Sequence, residues 1–130
     1  MARRILLLDD EPDLLRALSV RFRAAGFTCE TASNGREGLA SVARGVPDLI
    51  VTDLIMPDVD GYELVRRLRA DAATASVPIV VMSAMPKHEL ATQAKDLAVS
   101  CIMHKPFEFE ELLSITRELL AQTPGGTPHE

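Results

Sequence analysis

Short apolar segments alternate with longer amphipathic segments along most of the chain. The apolar segments predict strands at residues 4–8, 27–31, 48–52, 78–82 and 99–103. The longer segments repeat apolar residues at helical spacing, and turn residues stand at most junctions. This alternation is typical of a parallel sheet with crossover helices. Because three of the strands are almost wholly apolar, we expect helices on both faces of the sheet.

Five helices are predicted at residues 12–25, 34–45, 61–70, 86–97 and 108–121. Pro12 suits a first helical turn and Gly26 a helix stop. Asn34, with Glu37 three positions later, has the pattern of a capping box. Five strand–helix repeats therefore predict one domain over residues 1–121. Residues 122–130 are rich in Pro and Gly, which favours a flexible C-terminal tail or linker.

Composition narrows the class of protein. The chain has 130 residues, of which 47% are hydrophobic and 25% are charged, as in an ordinary single domain. A net charge of −5 argues against direct binding of nucleic acid, which requires an excess of Lys and Arg. No apolar run approaches the roughly 20 residues of a membrane span, and the apolar stretch near the start is too short for a signal peptide. We therefore expect a cytoplasmic protein without membrane insertion.

Charged and hydroxyl side chains follow the ends of four predicted strands. They are Asp9, Asp10 and Glu11 after the first strand, Asp53 after the third, Ser83 after the fourth and Lys105 after the fifth. The carboxyl ends of parallel strands meet at one edge of a sheet, where such folds bind ligands. Clustered aspartates repel one another unless they recruit a cation, and an all-oxygen ligand set favours a hard ion such as Mg²⁺. A lysine and a hydroxyl beside them favour phosphoryl chemistry at a carboxylate.

Four motifs resemble those of bacterial response-regulator receiver domains, in the same order and at matching separations. They are LLLDDEP at residues 6–12, PDLIVTDLIMPDVDG at 47–61, VVMSA at 80–84 and KPF at 105–107. The resemblance covers about residues 3–121. It implies a flavodoxin-like (βα)5 fold of the α/β class, with a doubly wound parallel sheet in strand order 2-1-3-4-5 between two helical layers.

The resemblance also implies a metal site. Asp53 would be the phosphoacceptor, and Asp10 and Asp53 would ligate Mg²⁺ together with the backbone carbonyl of Ile55. Asp9 would act on the metal through water. Gly61 would let the loop after the third strand fold back at the start of the third helix.

Phosphoryl binding is implied on the opposite side of the same crevice. Ser83 would bind the phosphoryl group through its hydroxyl and Lys105 through its ammonium, while the small Ala84 leaves room for the group. The peptide between Lys105 and Pro106 is commonly cis in this family, which would aim the lysine into the pocket.

The implied function is signalling rather than enzymatic turnover of a substrate. A sensor histidine kinase or phosphotransfer protein would donate the phosphoryl group. The response would then pass to a downstream protein through the face formed by the fourth helix, fifth strand and fifth helix. Chemistry would be limited to self-phosphorylation and slow self-dephosphorylation.

Three positions depart from the family pattern. Ile102 stands where the family often has Tyr or Phe, so the aromatic part of the usual switch is missing. Leu97-Ala98-Val99 lacks the customary glycine, which predicts an altered or frayed end of the fourth helix. Ile55 and Met85 are apolar at positions that influence access of water to the phosphoryl group, so we expect a long-lived phosphoryl group.

Two other functions are compatible with part of the sequence. A phosphatase with an aspartate nucleophile needs a second acid two residues later, but that position is Ile55. A binding module that has lost phosphorylation would retain only the fold, yet the acceptor, metal and lysine positions are all intact.

If the implied strand order holds, Cys29 and Cys101 lie on opposite edge strands about 19 Å apart, which excludes a disulfide between them.

Overall fold

The computed structural model describes residues 2–122, in which strands and helices alternate. The strands are β1 (Arg4–Leu8), β2 (Thr28–Ala32), β3 (Leu49–Asp53), β4 (Ile79–Ser83) and β5 (Cys101–His104). The helices are α1 (Pro12–Ala24), α2 (Gly35–Arg44), α3 (Gly61–Ala70), α4 (Lys87–Gln93) and α5 (Phe109–Gln122). All neighbouring strands are parallel, in the order β2-β1-β3-β4-β5. The predicted topology is confirmed.

Two hydrophobic clusters lie on opposite faces of the sheet. Ile5 and Leu7 of β1 pack with Phe22 of α1 on one face, where Leu112 of α5 also lies. The intervening Leu6 and Leu8 contribute to the other cluster, together with buried side chains of α3. Every residue of β3 and β4 is buried, as expected for central strands covered on both faces. The three-layer arrangement follows from this alternation.

The boundaries of β1 match the sequence prediction, and those of the other four strands differ from it by one or two residues. The third strand was expected at residues 48–52, but β3 extends to Asp53, which pairs in register with Met82. An apolar pattern cannot detect that the strand continues to Asp53, because strand pairing is made by hydrogen bonds between backbone groups. Asp53 therefore belongs to the rigid end of a central strand rather than to a loop.

Helix ends follow the predicted local chemistry, with one exception. The side chain of Asn34 accepts a hydrogen bond from the amide of Glu37 at 2.8 Å, and Gly26 has a positive φ of 100° after α1. The exception is α4, which ends at Gln93 although the pattern predicted a helix to residue 97. Ala94 is buried and Leu97 packs against the core beyond the helix end, so the apolar spacing continues where the helical backbone does not.

Gly61 starts α3 in close contact with the backbone of β3 and the residue after it. Its amide donates to the carbonyl of Leu54 at 2.8 Å, and a Cβ at this position would overlap the carbonyl oxygen of Asp53 and the Cα of Leu54. We therefore expect Gly61→Ala to lower the free energy of unfolding by about 1–3 kcal/mol, measured by urea denaturation. Gly45→Ala is the matched control, because its new Cβ would meet only the flexible side chain of Arg4. Equal losses in the two variants would contradict the prediction.

Cys29 and Cys101 are free thiols on the two edge strands β2 and β5, which agrees with the expected absence of a disulfide between them.

Across residues 2–122, no helix combines the length and the hydrophobicity that crossing a bilayer requires. The expected tail at residues 122–130 lies outside the described residues except for its first member, Gln122, which ends α5.

Candidate functional site

Three aspartates meet at the carboxyl edge of the sheet. Asp9 and Asp10 follow β1, and Asp53 ends the neighbouring strand β3. One carboxylate oxygen from each of the three lies within 4.8 Å of the other two. Asp9 is fully buried and Asp53 is 8% exposed, whereas Asp10 faces solvent. The predicted acidic cluster is present, with Asp10 on its open side.

Lys105 reaches this cluster from the end of β5. Its ammonium nitrogen donates to Asp9 Oδ2 at 2.7 Å and to Asp53 Oδ2 at 3.0 Å. The Lys105 amide donates to the carbonyl of Ser83 at 2.8 Å, and the peptide to Pro106 is cis, as the sequence motif implied. Because β3 and β4 lie between β1 and β5, this ion pair joins residues 96 positions apart across the edge of the sheet.

Opposing effects set the charges of this group. Burial raises the pKa of Asp53, and the hydrogen bond and charge of Lys105 oppose part of that rise. Burial alone would lower the pKa of Lys105, but its hydrogen bonds and charge interactions with Asp9 and Asp53 outweigh this effect and raise the pKa. The lysine is therefore a permanent cation at neutral pH, and Asp53 lies beside it in a partly desolvated position.

The other predicted site residues line the mouth of the crevice or lie just beneath it. Ser83 is buried at the end of β4, and its hydroxyl oxygen accepts the amide of Met85 at 3.1 Å, which leaves the hydroxyl hydrogen free to be donated. Ala84 and Ile55 line the same groove as Asp53. The amide of Ile55 donates to Asp53 Oδ1 at 3.3 Å, and its side chain is 59% exposed.

The ligand chemistry of the acidic cluster fits a hard divalent cation. Its three members, Asp9, Asp10 and Asp53, offer only carboxylate oxygens, and neither thiolate nor imidazole belongs to the group. Oxygen ligands of this kind suit Mg²⁺ or Ca²⁺ rather than zinc. The exposed position of Asp10 gives an ion direct access from solvent.

Comparison with known protein families identifies the class of protein to which this site belongs. The family model described as the response regulator receiver domain matches residues 5–117. The chain belongs to this family. It is therefore a receiver domain of two-component signalling systems, in which response regulators receive signals from histidine kinases and act on downstream targets.

Curated relatives of this receiver domain are longer proteins. The DNA-binding dual master transcriptional regulator RpaA of Synechocystis is 36% identical over 120 residues, which are 92% of this chain and 50% of the relative. The phosphate regulon regulatory protein PhoB of Pseudomonas aeruginosa is 30% identical over 97% of this chain and 55% of its own length. The receiver domain thus spans about half the length of these relatives.

Solved structures share the fold over nearly the whole chain. The receiver domain of a signal transduction histidine kinase from Syntrophus aciditrophicus has a TM-score of 0.90 at 25% identity, covering 99% of this chain and 98% of its own. The chemotaxis response regulator CheY4 of Vibrio cholerae has a TM-score of 0.84 at 28% identity, covering 92% and 99%. The flavodoxin-like fold is confirmed by these neighbours.

The α4-β5-α5 face of the receiver domain carries a second groove of about 680 Å³. Leu90 of α4, Ile102 of β5 and Ile115 of α5 contribute to its lining. Ile102, at the position noted for its missing aromatic ring, is 39% exposed. It lies on this outer face and not in the groove that contains Asp53.

Two features of the site were not predicted from the sequence. Glu11 accepts a third hydrogen bond from Lys105, at 3.3 Å, although the sequence analysis assigned Glu11 no role beyond its place after the first strand. An open groove of about 910 Å³ also extends from Asp53 along α1 to Phe109. Arg21 lies over the Phe109 ring at 4.7 Å and pairs with Glu110 at 2.7 Å. The helical spacing of α1 indicated only its core face, so its outer contribution to this groove was missed.

Proposed function

We propose that this receiver domain accepts a phosphoryl group on Asp53 in a Mg²⁺-dependent reaction and signals the modification to a protein partner. The observation that supports the proposal most directly is the position of the Lys105 ammonium, 3.0 Å from the Asp53 carboxylate and hydrogen-bonded to the buried Asp9 as well. A fixed cation beside a partly buried carboxylate suits a reaction in which negative charge is transferred onto that carboxylate.

The proposed step is an in-line phosphoryl transfer. A carboxylate oxygen of Asp53 forms a bond to phosphorus as the bond from phosphorus to the donor nitrogen or oxygen breaks, and the bonding electrons leave with the donor. Lys105 is placed to exchange its hydrogen bond with Asp53 for one to a phosphoryl oxygen. Ser83 supplies a hydroxyl hydrogen from the neighbouring strand end, and the small Ala84 leaves space at the mouth.

Asp10 and Asp53 would hold Mg²⁺ directly, with Asp9 acting through water and the backbone carbonyl of Ile55 completing the protein ligands. When bound, the ion neutralises charge on the transferring phosphoryl group. The protein residues do the positioning, because Asp9 and Asp53 are fixed by burial and by Lys105 before any donor arrives.

Magnesium is expected to stabilise the folded receiver domain through Asp10. At a concentration one hundred times its dissociation constant, a ligand that binds only the folded state adds about 2.7 kcal/mol, so Tm should rise on titration. Asp10→Asn should remove most of this rise. Asp13→Asn is the matched control, because Asp13 is an exposed acid on the same segment whose side chain contacts Arg16 rather than the cluster. Equal loss of the magnesium response in both variants would reject the assignment of Asp10.

The direct test of the proposal is phosphorylation by a small donor. Incubation with acetyl phosphate and Mg²⁺ should add the mass of one phosphoryl group to the intact protein, and addition of EDTA beforehand should prevent it. The rate should fall as the pH is lowered, because protonation of the Asp53 carboxylate removes the nucleophile. A phosphorylation-independent binding module, the competing function, would show no mass increase under any of these conditions.

The donor protein is proposed to be a histidine kinase or a phosphotransfer protein. Its phosphohistidine must approach the mouth of the crevice beside Ile55 and Ala84, so its surface would cover the adjoining groove along α1. The downstream partner would bind the α4-β5-α5 face. Residues 1–121 would act as the receiver unit and residues 122–130 as a tail or linker.

The phosphoryl group is expected to be long-lived, because neither Ile55 nor Met85 has a side chain that can orient an attacking water. The purified phosphoprotein should lose its label more slowly than an Ile55→Asn/Met85→Glu variant. Label retention can be followed by intact-mass measurement after removal of the donor. Equal or faster loss from the natural protein would refute this expectation.

A further inference from the structure

The short helix α4 has little apolar burial to hold it in place. Among its residues, Lys87–Gln93, only Leu90 is buried, and Ala94 is buried at the cap. A helix of this length does not persist without tertiary contacts. Polar contacts from a neighbouring element therefore contribute to fixing α4 and the segment that leads from it to β5.

Arg69, near the end of α3, makes such a contact. Its Nε donates to the carbonyl of Ala98 at 2.7 Å, in the connection from α4 to β5. Its Nη1 lies within hydrogen-bonding distance of the carbonyls of Thr74, Ala75 and Val77, at 3.3, 3.0 and 2.7 Å, in the connection from α3 to β4. One guanidinium thus joins two separate segments to α3, and it meets Ala98 within the stretch that lacks a glycine cap.

Tyr62, in the first turn of α3, makes a second contact with the same region. Its hydroxyl donates to the side-chain oxygen of Gln93 at 3.1 Å, and Gln93 is the last residue of α4. Opposite ends of α3 therefore contact the end of α4 and the segment beyond it. Together these contacts form what we call the α3 latch, defined by Tyr62 and Arg69.

The start of α3 contacts the backbone beside Asp53, the proposed phosphorylation site. The amide of Gly61 donates a hydrogen bond to the carbonyl of Leu54, the residue after Asp53. The backbone of Gly61 lies so close to Asp53 and Leu54 that it limits any shift of these two residues. We propose that the α3 latch fastens the exit of α4 to α3 and thereby transmits a change at Asp53 to the α4-β5-α5 face. The transmission half of this inference rests on the proposed function. The anchoring half does not.

Hydrogen exchange measured by mass spectrometry tests the anchoring half in the unmodified protein. In a Tyr62→Phe/Arg69→Met variant, amides at positions 94, 97, 99 and 100, all hydrogen-bonded in the structure, should exchange about fivefold faster or more, as expected on loss of one or two hydrogen bonds. Exchange in β1 and β3 should not change. Arg67→Met is the matched control, because Arg67 lies on the same helix and pairs only with Glu63 in the described part of the chain.

An unchanged exchange rate in the double variant, or an equal increase in Arg67→Met, would overturn the anchoring. If the double variant does not fold, Tyr62→Phe alone, which removes one hydroxyl, is judged by the same comparison at position 94.

Beryllofluoride with Mg²⁺ tests the transmission half. Binding is followed by ¹⁹F NMR, and exchange across 87–104 is compared with and without the ligand. We expect the natural protein and the double variant both to bind, and only the natural protein to change exchange in 87–100. An unaltered response of the variant would overturn transmission by the latch. Absence of binding to the natural protein would overturn the proposed function, and transmission with it, while the anchoring result stands by itself.

Discussion

Replacement of Asp53 by Asn is expected to abolish phosphorylation by acetyl phosphate. Asn offers an amide in place of the carboxylate nucleophile. Of the other two acids of the cluster, Asp9 is fully buried and bound to Lys105, and Asp10 is the proposed metal ligand. Intact-mass measurement after incubation with donor and Mg²⁺ should show no phosphorylated species, whereas the natural protein accumulates one. A single phosphoryl group on the Asn variant would place the acceptor elsewhere and refute the proposed role of Asp53.

The same variant carries its own control for folding. Burial raises the pKa of Asp53, so the folded state disfavours the carboxylate. This cost is present at neutral pH, shrinks as the pH falls below the raised pKa, and is gone below the ordinary value. A neutral Asn avoids the cost. Asp53→Asn should therefore be at least as stable as the natural protein at neutral pH, measured by thermal unfolding in the absence of magnesium, and its loss of phosphorylation cannot then be attributed to unfolding.

Lys105→Met is expected to be the most destabilising single replacement in the site. It leaves the buried Asp9 and the nearly buried Asp53 without their shared cation. Breaking a buried ion pair by removing one partner costs about 3–5 kcal/mol. Urea denaturation at neutral pH, without magnesium, should show a loss of this order. The loss should shrink as the pH is lowered, because protonation of the carboxylates removes the unpaired charge.

Two further variants separate the lost ion pair from other effects of the replacement. Lys87→Met alters an exposed lysine at the start of α4 and should change the free energy of unfolding by no more than about 0.5 kcal/mol. Addition of Asp9→Asn to Lys105→Met should restore part of the stability, since it removes the carboxylate left unpaired. Additive losses in the double variant would contradict a charge origin.

The apolar pattern was sufficient to predict a parallel sheet with crossover helices, and the resemblance to receiver domains supplied its strand order. The acidic cluster could be predicted because it depends on backbone order. Asp9, Asp53 and Lys105 directly end or follow strands, and parallel strands bring such positions to one edge whatever the details of side-chain packing. The position of Lys105 relative to the acids then follows from the length of its side chain. These features tolerate errors of one residue in strand boundaries, as at β3.

Other features could not be predicted because they depend on how side chains from separate elements meet. The contact of Glu11 with Lys105 requires the path of the chain at the start of α1. The contacts of Arg69 require the positions of two connections that are far apart in sequence. The length of α4 was overestimated for a related reason, since Ala94 and Leu97 remain against the core while the backbone leaves the helix. The spacing of apolar residues indicates which side chains are buried, but it does not indicate which backbone hydrogen bonds form.

The separation of 96 residues between the ion-pair partners Asp9 and Lys105 has a consequence for biosynthesis. A nascent or truncated chain that ends before position 105 contains all three acids of the cluster but lacks their cation. Such long-range contacts form late, after the local ones. Under the proposed function, a chain that ends before Lys105 would therefore lack the cation placed to bind the phosphoryl group.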